Sequence, residues 1–227
     1  MRFFIIVFMA VFSVAATTKA DSLSITGAGG SFSVPVVSMK EARFLTVVKQ
    51  QYDFSCGSAA LATLLTYFYQ NPVNEQTVLT AMYEKGNKEK IHREGFSLLD
   101  IKRYLEENGY RADGFVAPLD MLSKKGVPAI TLINDHGYNH FVVVKGVSST
   151  QVLVADPAMG TKIIPRQEFE AMWNRILFII RNKEDIAVKY FNSKKEWKVR
   201  EQAPLEAAVN RDGLSSSALL LPNSYDF

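Results

Sequence analysis

A single cysteine, Cys56, occurs in the 227 residues. No internal disulfide can form, so packing and hydrogen bonding alone must hold the fold. A content of 48% hydrophobic and 22% charged residues is ordinary for a globular protein and permits this. The length suits one domain with appendages, or two small ones. Cys56 lies in the stretch Lys49–Leu65, KQQYDFSCGSAALATLL. Before the cysteine the sequence is polar and broken; after it, small and apolar residues follow at helical spacing. Cys56 is therefore predicted at or just before the start of a helix that runs to about Gln70 and stops before Asn71-Pro72. Unpaired N–H groups and the helix dipole at such a position favour an anion, here a thiolate.

The first twenty residues read as a secretory signal peptide. Met1-Arg2 is a positive start, Phe3–Ala16 an apolar run of h-region length, and Thr18-Lys19-Ala20 a cleavage site with small residues where they matter. Cleavage after Ala16 is the alternative site. A retained anchor is the alternative reading, and the run is short for a bilayer span. An unpaired cysteine in an oxidising compartment is a liability whose best justification is reactivity. Arg2 and Lys19 leave with the signal, so the formal charge of +3 falls to near neutrality. That argues against nucleic acid or an anionic membrane surface as a partner. No second apolar run is long enough to cross a bilayer.

Residues 21–41, rich in Ser, Gly, Thr and Val, read as a flexible N-terminal segment leading into extended chain. Phe44–Val48 reads as a short strand. Helical spacing recurs over Asn74–Lys85, followed by a charged loop from Gly86 to Glu94. Ser97 is a good N-cap for a helix over Leu98–Asn108 that closes at Gly109. The period then changes. Strands are predicted at Tyr110–Val116, Val127–Ile133, Tyr138–Val147, Gln151–Ala155, Lys162–Ile164 and Ile176–Ile180, with short helices at Pro118–Lys125 and Gln167–Trp173. Helices first and strands later give an α+β fold, with N-terminal helices packed on a C-terminal antiparallel sheet. The expected organisation is a signal at 1–20, an N-terminal segment at 21–41, one domain at 42–182, and a charged extension at 183–227 lying outside the core and partly ordered by a partner. There are no internal repeats.

Cys56 needs a base. His92 falls in the charged loop and His136 in the turn Asn134-Asp-His-Gly137; both read as solvated loop residues. His140 stands in the otherwise apolar strand Tyr138–Val144. Taken alone, it reads as a satisfied structural histidine ahead of a site residue. Asp156 precedes Pro157 and, taken alone, is a turn starter. The pair says more. An odd-length hairpin loop centred near Ser148 puts residues 140 and 156 on one face and nearly opposite; an even loop without a bulge puts them on opposite faces. A carboxylate beside the imidazole fixes its tautomer and stabilises its charged form. Nucleophile, base and orienter are then all present. The oxyanion of an acyl transfer needs donors: the Cys56 N–H supplies one, and the side-chain amide of Gln50, six residues upstream, is the candidate for the second.

Gln50, Cys56-Gly57, His140-Phe141 and Asp156-Pro157, in that order and at that spacing, resemble cysteine peptidase family 39. These are the papain-clan domains that remove double-glycine leaders from bacteriocins and related exported peptides. The resemblance covers roughly residues 42–182, and the Gly95–Asp100 and Gly109–Gly114 regions also fit it. It implies a papain-like fold, with Cys56 as nucleophile, His140 as general base and acid, Asp156 as orienter and Gln50 as oxyanion donor. A one-residue slip would exchange Gln50 for Gln51. It implies no metal or organic cofactor. The best-known members are fused to an ATP-driven transporter and face the cytoplasm. This chain carries an export signal instead, and is similar to the standalone periplasmic members, including those that accompany functional-amyloid fibre secretion. The expected location is therefore the periplasm, and the expected partners are a protein or peptide substrate, fibre subunits or other secretion components. The leading reading is an exported cysteine endopeptidase cutting after small, Gly-Gly-like residues. A peptide-binding module that does not cut, and a cell-wall amidase or acyltransferase on the same fold, are the competing readings.

Overall fold

A computed structural model describes residues 22–27, 30–35, 38–135 and 137–198. The expected signal peptide, His136 and the apolar run Leu214–Leu221 lie outside the described residues. Two compact units divide between Met39 and Lys40.

The first unit contains the hairpin β1 (Ser22–Gly27) and β2 (Gly30–Pro35), paired antiparallel from Ser22↔Pro35 to Gly27↔Gly30. This corrects the reading of a flexible segment. Leu23 and Ile25, like Phe32 and Val34, alternate with Ser and Thr at the period of a strand, and glycines stand at the last position of β1 and the first of β2.

Helix α1 (Met39–Arg43) begins at the boundary. Phe44–Val48 is not a strand. The Phe44 and Val47 N–H groups donate back to Glu41 O and Phe44 O. The Val48 N–H is taken by Thr63 Oγ1 at 2.9 Å, so the segment is tied to a helix and not to a ladder. That helix is α2 (Cys56–Phe68), followed by α3 (Glu75–Lys85), α4 (Lys88–Glu94) and α5 (Leu98–Glu107). Helix α4 occupies the expected charged loop: Asn87 Oδ1 caps it by accepting from the Lys90 N–H, and Ile91 is its one buried anchor. Ser97 caps α5 as expected, in a reciprocal capping box with Asp100.

The remaining elements are β3 (Ala112–Val116), α6 (Asp120–Lys125), β4 (Ala129–Asp135), β5 (Tyr138–Val147), β6 (Gln151–Asp156), β7 (Gly160–Pro165), α7 (Arg166–Met172), β8 (Ile176–Ile180), α8 (Glu184–Ala187) and α9 (Lys194–Trp197). The six strands from β3 to β8 form one antiparallel sheet in the order β3-β8-β4-β5-β6-β7. Alternation gives the sheet two apolar faces. Phe141, Val143, Ala155 and Phe178 join the core built around α2, α3 and α5; Val142, Val144, Val154 and Leu177 join a second core with Leu122 of α6 and Phe169 of α7.

Helix α2 is buried on almost every side, from Cys56 through Leu65 and at Phe68, which is why its sequence is apolar all round rather than on one stripe. Leu61, Leu64 and Leu65 each contribute about 1.5–3 kcal/mol by burial, enough to fix the Cys56 end of the helix against the sheet. Packing continues past Asn182, contrary to an extension lying outside the core. Ala187 is fully buried and Phe191 nearly so, one in each core. No helix among the described residues is long and apolar enough to cross a membrane.

Candidate active site

Cys56 is the first residue of α2 and is 5% exposed. The N-cap, Ser55, offers no side-chain hydrogen bond to the first turn. Its hydroxyl is held elsewhere, accepting from the Tyr52 N–H at 3.1 Å and donating its one hydrogen to Glu75 Oε1. The first N–H groups of a helix have no intrahelical acceptor, so the N–H of Cys56 stands at a helix start without side-chain capping.

His140 leaves β5 near its open end, buried to 5% exposure, and donates from Nε2 to Asp156 Oδ1 at 2.8 Å. The expected pair is therefore brought together, but by a different route. The hairpin loop is even: Ser148 N–H donates to Gln151 O, and the register above it is Val147↔Val152 and Gly146↔Leu153. Left alone, that register turns residues 140 and 156 to opposite faces. A β-bulge between Val144 and Gly146 inserts Lys145, and beyond it the register becomes Val144↔Val154 and Val143↔Ala155. The extra residue restores the parity that an odd loop was expected to supply.

Asp156 also starts the turn, so its two readings coexist. Its Oδ1 accepts from the N–H groups of Ala158 (2.8 Å) and Met159 (3.1 Å), and Oδ2 accepts from Lys162 Nζ (3.0 Å). Gln50 meets this turn: its backbone N–H donates to Pro157 O at 3.0 Å. Its side chain is half-buried, with Nε2 donating to Tyr52 O (3.1 Å) and Oε1 buried without a partner. One amide hydrogen is thus used locally and one is left. Gln51 is exposed, which separates it from Gln50.

Three neighbours were not legible from spacing. Glu75, 2% exposed, accepts from the Gln51 N–H at 3.1 Å and from Ser55 Oγ, and so holds the turn between Gln50 and Cys56 from below. Lys162 is a counter-charge on Asp156. Tyr138 Oη donates to Asp53 O at 2.7 Å, tying the open end of β5 to the loop before Cys56. His92 stays apart from Cys56; it shares a hydrogen bond with Tyr83 and packs on Phe54.

The electrostatics follow from this geometry. Burial pushes the His140 imidazole down, but hydrogen bonds and charge from Asp156 and Cys56 outweigh it and raise it to about 9. Burial pushes the Asp156 carboxyl up, and His140 and then Lys162 reverse this, holding it well below the usual carboxylate range. An ionised carboxylate only accepts, so Nε2 keeps its proton whether the ring is charged or neutral. Nδ1 is buried with no hydrogen-bond partner, which leaves it as the ring nitrogen free to exchange a proton. Such an arrangement can deliver a sulfur nucleophile and return a proton to a leaving group.

The profile of the peptidase C39 family matches residues 45–185. The chain is 41% identical over 166 residues to a probable functional amyloid protease, FapD, of Pseudomonas aeruginosa, covering 72% of this chain and 74% of that one. A second FapD, from Pseudomonas fluorescens, is 41% identical over 145 residues, 64% of each chain. Among solved structures, a double glycine motif protease from an AMS/PCAT transporter, crystallised with the leader peptide, aligns with a TM-score of 0.50 at 30% identity over 59% of this chain and 89% of that one. The peptidase domain of Streptococcus ComA aligns with a TM-score of 0.51 at 19% identity, over 60% of this chain and 96% of that one, a likeness of fold.

Proposed function

The chain belongs to the peptidase C39 family, and we propose that it is an exported, papain-like cysteine endopeptidase of the periplasm whose peptidase domain begins near residue 42 and packs on through Phe191. Cys56 is its nucleophile, His140 its base and acid, Asp156 the orienter and Gln50 an oxyanion donor. The observation that carries this reading is the buried His140–Asp156 hydrogen bond, which leaves Nδ1 for Cys56. The Cys56 sulfur, having passed its proton to Nδ1, attacks the scissile carbonyl carbon, and the carbonyl π electrons move onto oxygen. The Cys56 N–H and the free amide hydrogen of Gln50 stabilise that charge. When the tetrahedral centre collapses, the C–N bond breaks and Nδ1 gives its proton to the departing amine. A water then loses a proton to Nδ1, attacks the thioester and frees the acid, restoring the thiol.

The substrate in this reading is a co-exported protein or peptide cut after small, Gly-Gly-like residues, in support of secretion or amyloid fibre assembly. The names of the relatives support that choice: a functional amyloid protease on one side and a double glycine motif protease with its leader peptide on the other. Mass spectrometry of the exported proteins of cells carrying the wild-type or the Cys56→Ala chain tests it. New N-termini following pairs of small residues are expected only with wild type; identical fragments in both strains overturn the reading.

Gln50 is expected to act on the chemical step. Gln50→Ala lowers kcat by roughly 10²–10³-fold with KM little changed, the usual cost of one oxyanion donor. Steady-state kinetics on a Gly-Gly peptide measures this, and a kcat within about twofold of wild type removes Gln50 from the set.

A further inference from the structure

We propose that residues 184–197 lock the β-bulge at Lys145, and through it the pairing of His140 with Asp156, with Asn192 and Glu196 as positioning residues. The proposal rests on the reading of His140 and Asp156 given above. Its starting point is that the hairpin loop has the wrong parity for that pair, and that the one extra residue at Lys145 corrects it. A one-residue slip in a strand sends every side chain to the other face. The active arrangement therefore depends on an extra residue being kept on β5 between the loop and His140.

The bulge is held from outside the sheet. Asn192 follows α8, in the left-handed backbone region that asparagine tolerates (φ 56°). Its N–H donates to Lys145 O at 2.9 Å, its Oδ1 accepts from the Val147 N–H at 2.9 Å, and its Nδ2 donates to Val147 O at 3.3 Å. One residue thus satisfies backbone groups on both sides of Gly146, where a bulge disrupts the ladder. Glycine is required at 146, since a Cβ there would collide with Asn192 Oδ1 and press on Trp197 of α9 at 3.1 Å.

The side chain of the inserted residue is the second fastening. Lys145 is 1% exposed in a strand that is otherwise valine-rich. Its ammonium donates to Thr46 Oγ1 at 2.6 Å and pairs with Glu196 of α9. An apolar residue would fill this space at less cost, because a buried charge is tolerated only with its partner in place. A lysine that needs both Thr46 and Glu196 is satisfied in one register only. Losing the bulge turns Lys145 away from these partners and strands the charge, so the pair penalises the slip that separates His140 from Asp156.

The test compares Asn192→Ala, Asn192→Asp and Glu196→Gln with wild type in the full chain. Two readouts are taken: kinetics on a Gly-Gly peptide and the NMR titration of the His140 ring. Asn192→Ala is expected to lower kcat roughly 10–100-fold with KM within about twofold, as a small misplacement of reacting groups does. The His140 titration should fall from about 9 toward the ordinary imidazole value. Asn192→Asp, which keeps the acceptor for the Val147 N–H but sets an oxygen where Nδ2 donated to Val147 O, should recover both in part. If Asn192→Ala does not fold, Glu196→Gln, which removes only a charge, carries the same comparison. Folded variants with wild-type kcat and wild-type His140 titration overturn the proposal. The underlying reading fails separately, if His140→Ala cleaves as wild type does.

Discussion

Replacing Cys56 with alanine abolishes peptide cleavage while leaving the fold intact. Loss of a nucleophile from a concerted set costs on the order of 10⁶ in kcat, because the remaining members have nothing to activate. The residual rate is what binding and the oxyanion donors supply alone. Stability is expected to change little. Cys56 is small, sits at the first position of α2, and the helix is anchored by Leu61, Leu64 and Leu65 beyond it. The partner that feels the loss is His140, which gives up one of the interactions raising its imidazole, so its titration moves down. Peptide hydrolysis, thermal melting and His140 NMR together read these effects. Cleavage within tenfold of wild type by a folded Cys56→Ala protein rules out the nucleophile assignment.

Asp156→Asn has the second largest effect and separates charge from shape. Asparagine keeps an oxygen acceptor for the N–H groups of Ala158 and Met159, so the β6–β7 turn survives. It removes the charge that faces His140 and Lys162. With its oxygen held by the turn, the amide still accepts from Nε2, so what the imidazolium loses is its counter-charge, and kcat is expected to fall roughly 10²–10⁴-fold. Stability carries a distinct pH signature. The imidazole is raised in the folded state, so its contribution is complete below an unfolded value of about 6.5 and fades as pH rises through about 9. The Asp156 carboxyl is lowered, so its contribution is present above the ordinary carboxylate value of ~3.9 and is lost as pH falls below it. The wild-type advantage in unfolding free energy is therefore largest between pH ~4 and ~6.5 and shrinks toward pH ~9. Urea unfolding across this range checks it; a difference independent of pH contradicts the charged pair.

Much of the site can be read from the chain because its signals are local. The small and apolar run after Cys56 can be little else than a buried helix. β5 and β8 span the residues expected of them, Tyr138–Val147 and Ile176–Ile180. What local pattern cannot carry is a choice that tertiary contacts make. The parity of the β5–β6 hairpin is the clearest case: loop length and bulge compensate, and the sequence Val147–Gln151 allows either. The bulge is set by Asn192 and Glu196, some fifty residues downstream, in a stretch whose charge hides two apolar anchors, Ala187 and Phe191, four residues apart. Charge hid α4 in the same way, since Ile91 is its single buried side chain. Phe44–Val48 has the composition of a strand, but Thr63 takes the N–H that a ladder needs. Glu75 gives no signal at all, because a glutamate in the first turn of a helix is common on grounds of dipole alone.

In the proposed mechanism the Cys56 sulfur becomes covalently acylated. Mixing the wild-type protein with a Gly-Gly peptide, quenching in acid within the first turnover and measuring intact mass tests it most directly. A mass increase equal to the N-terminal fragment of the substrate is expected, located by digestion on the peptide containing Cys56, and absent from His140→Ala. Substrate turnover with no adduct, or an adduct on any residue other than Cys56, would contradict it.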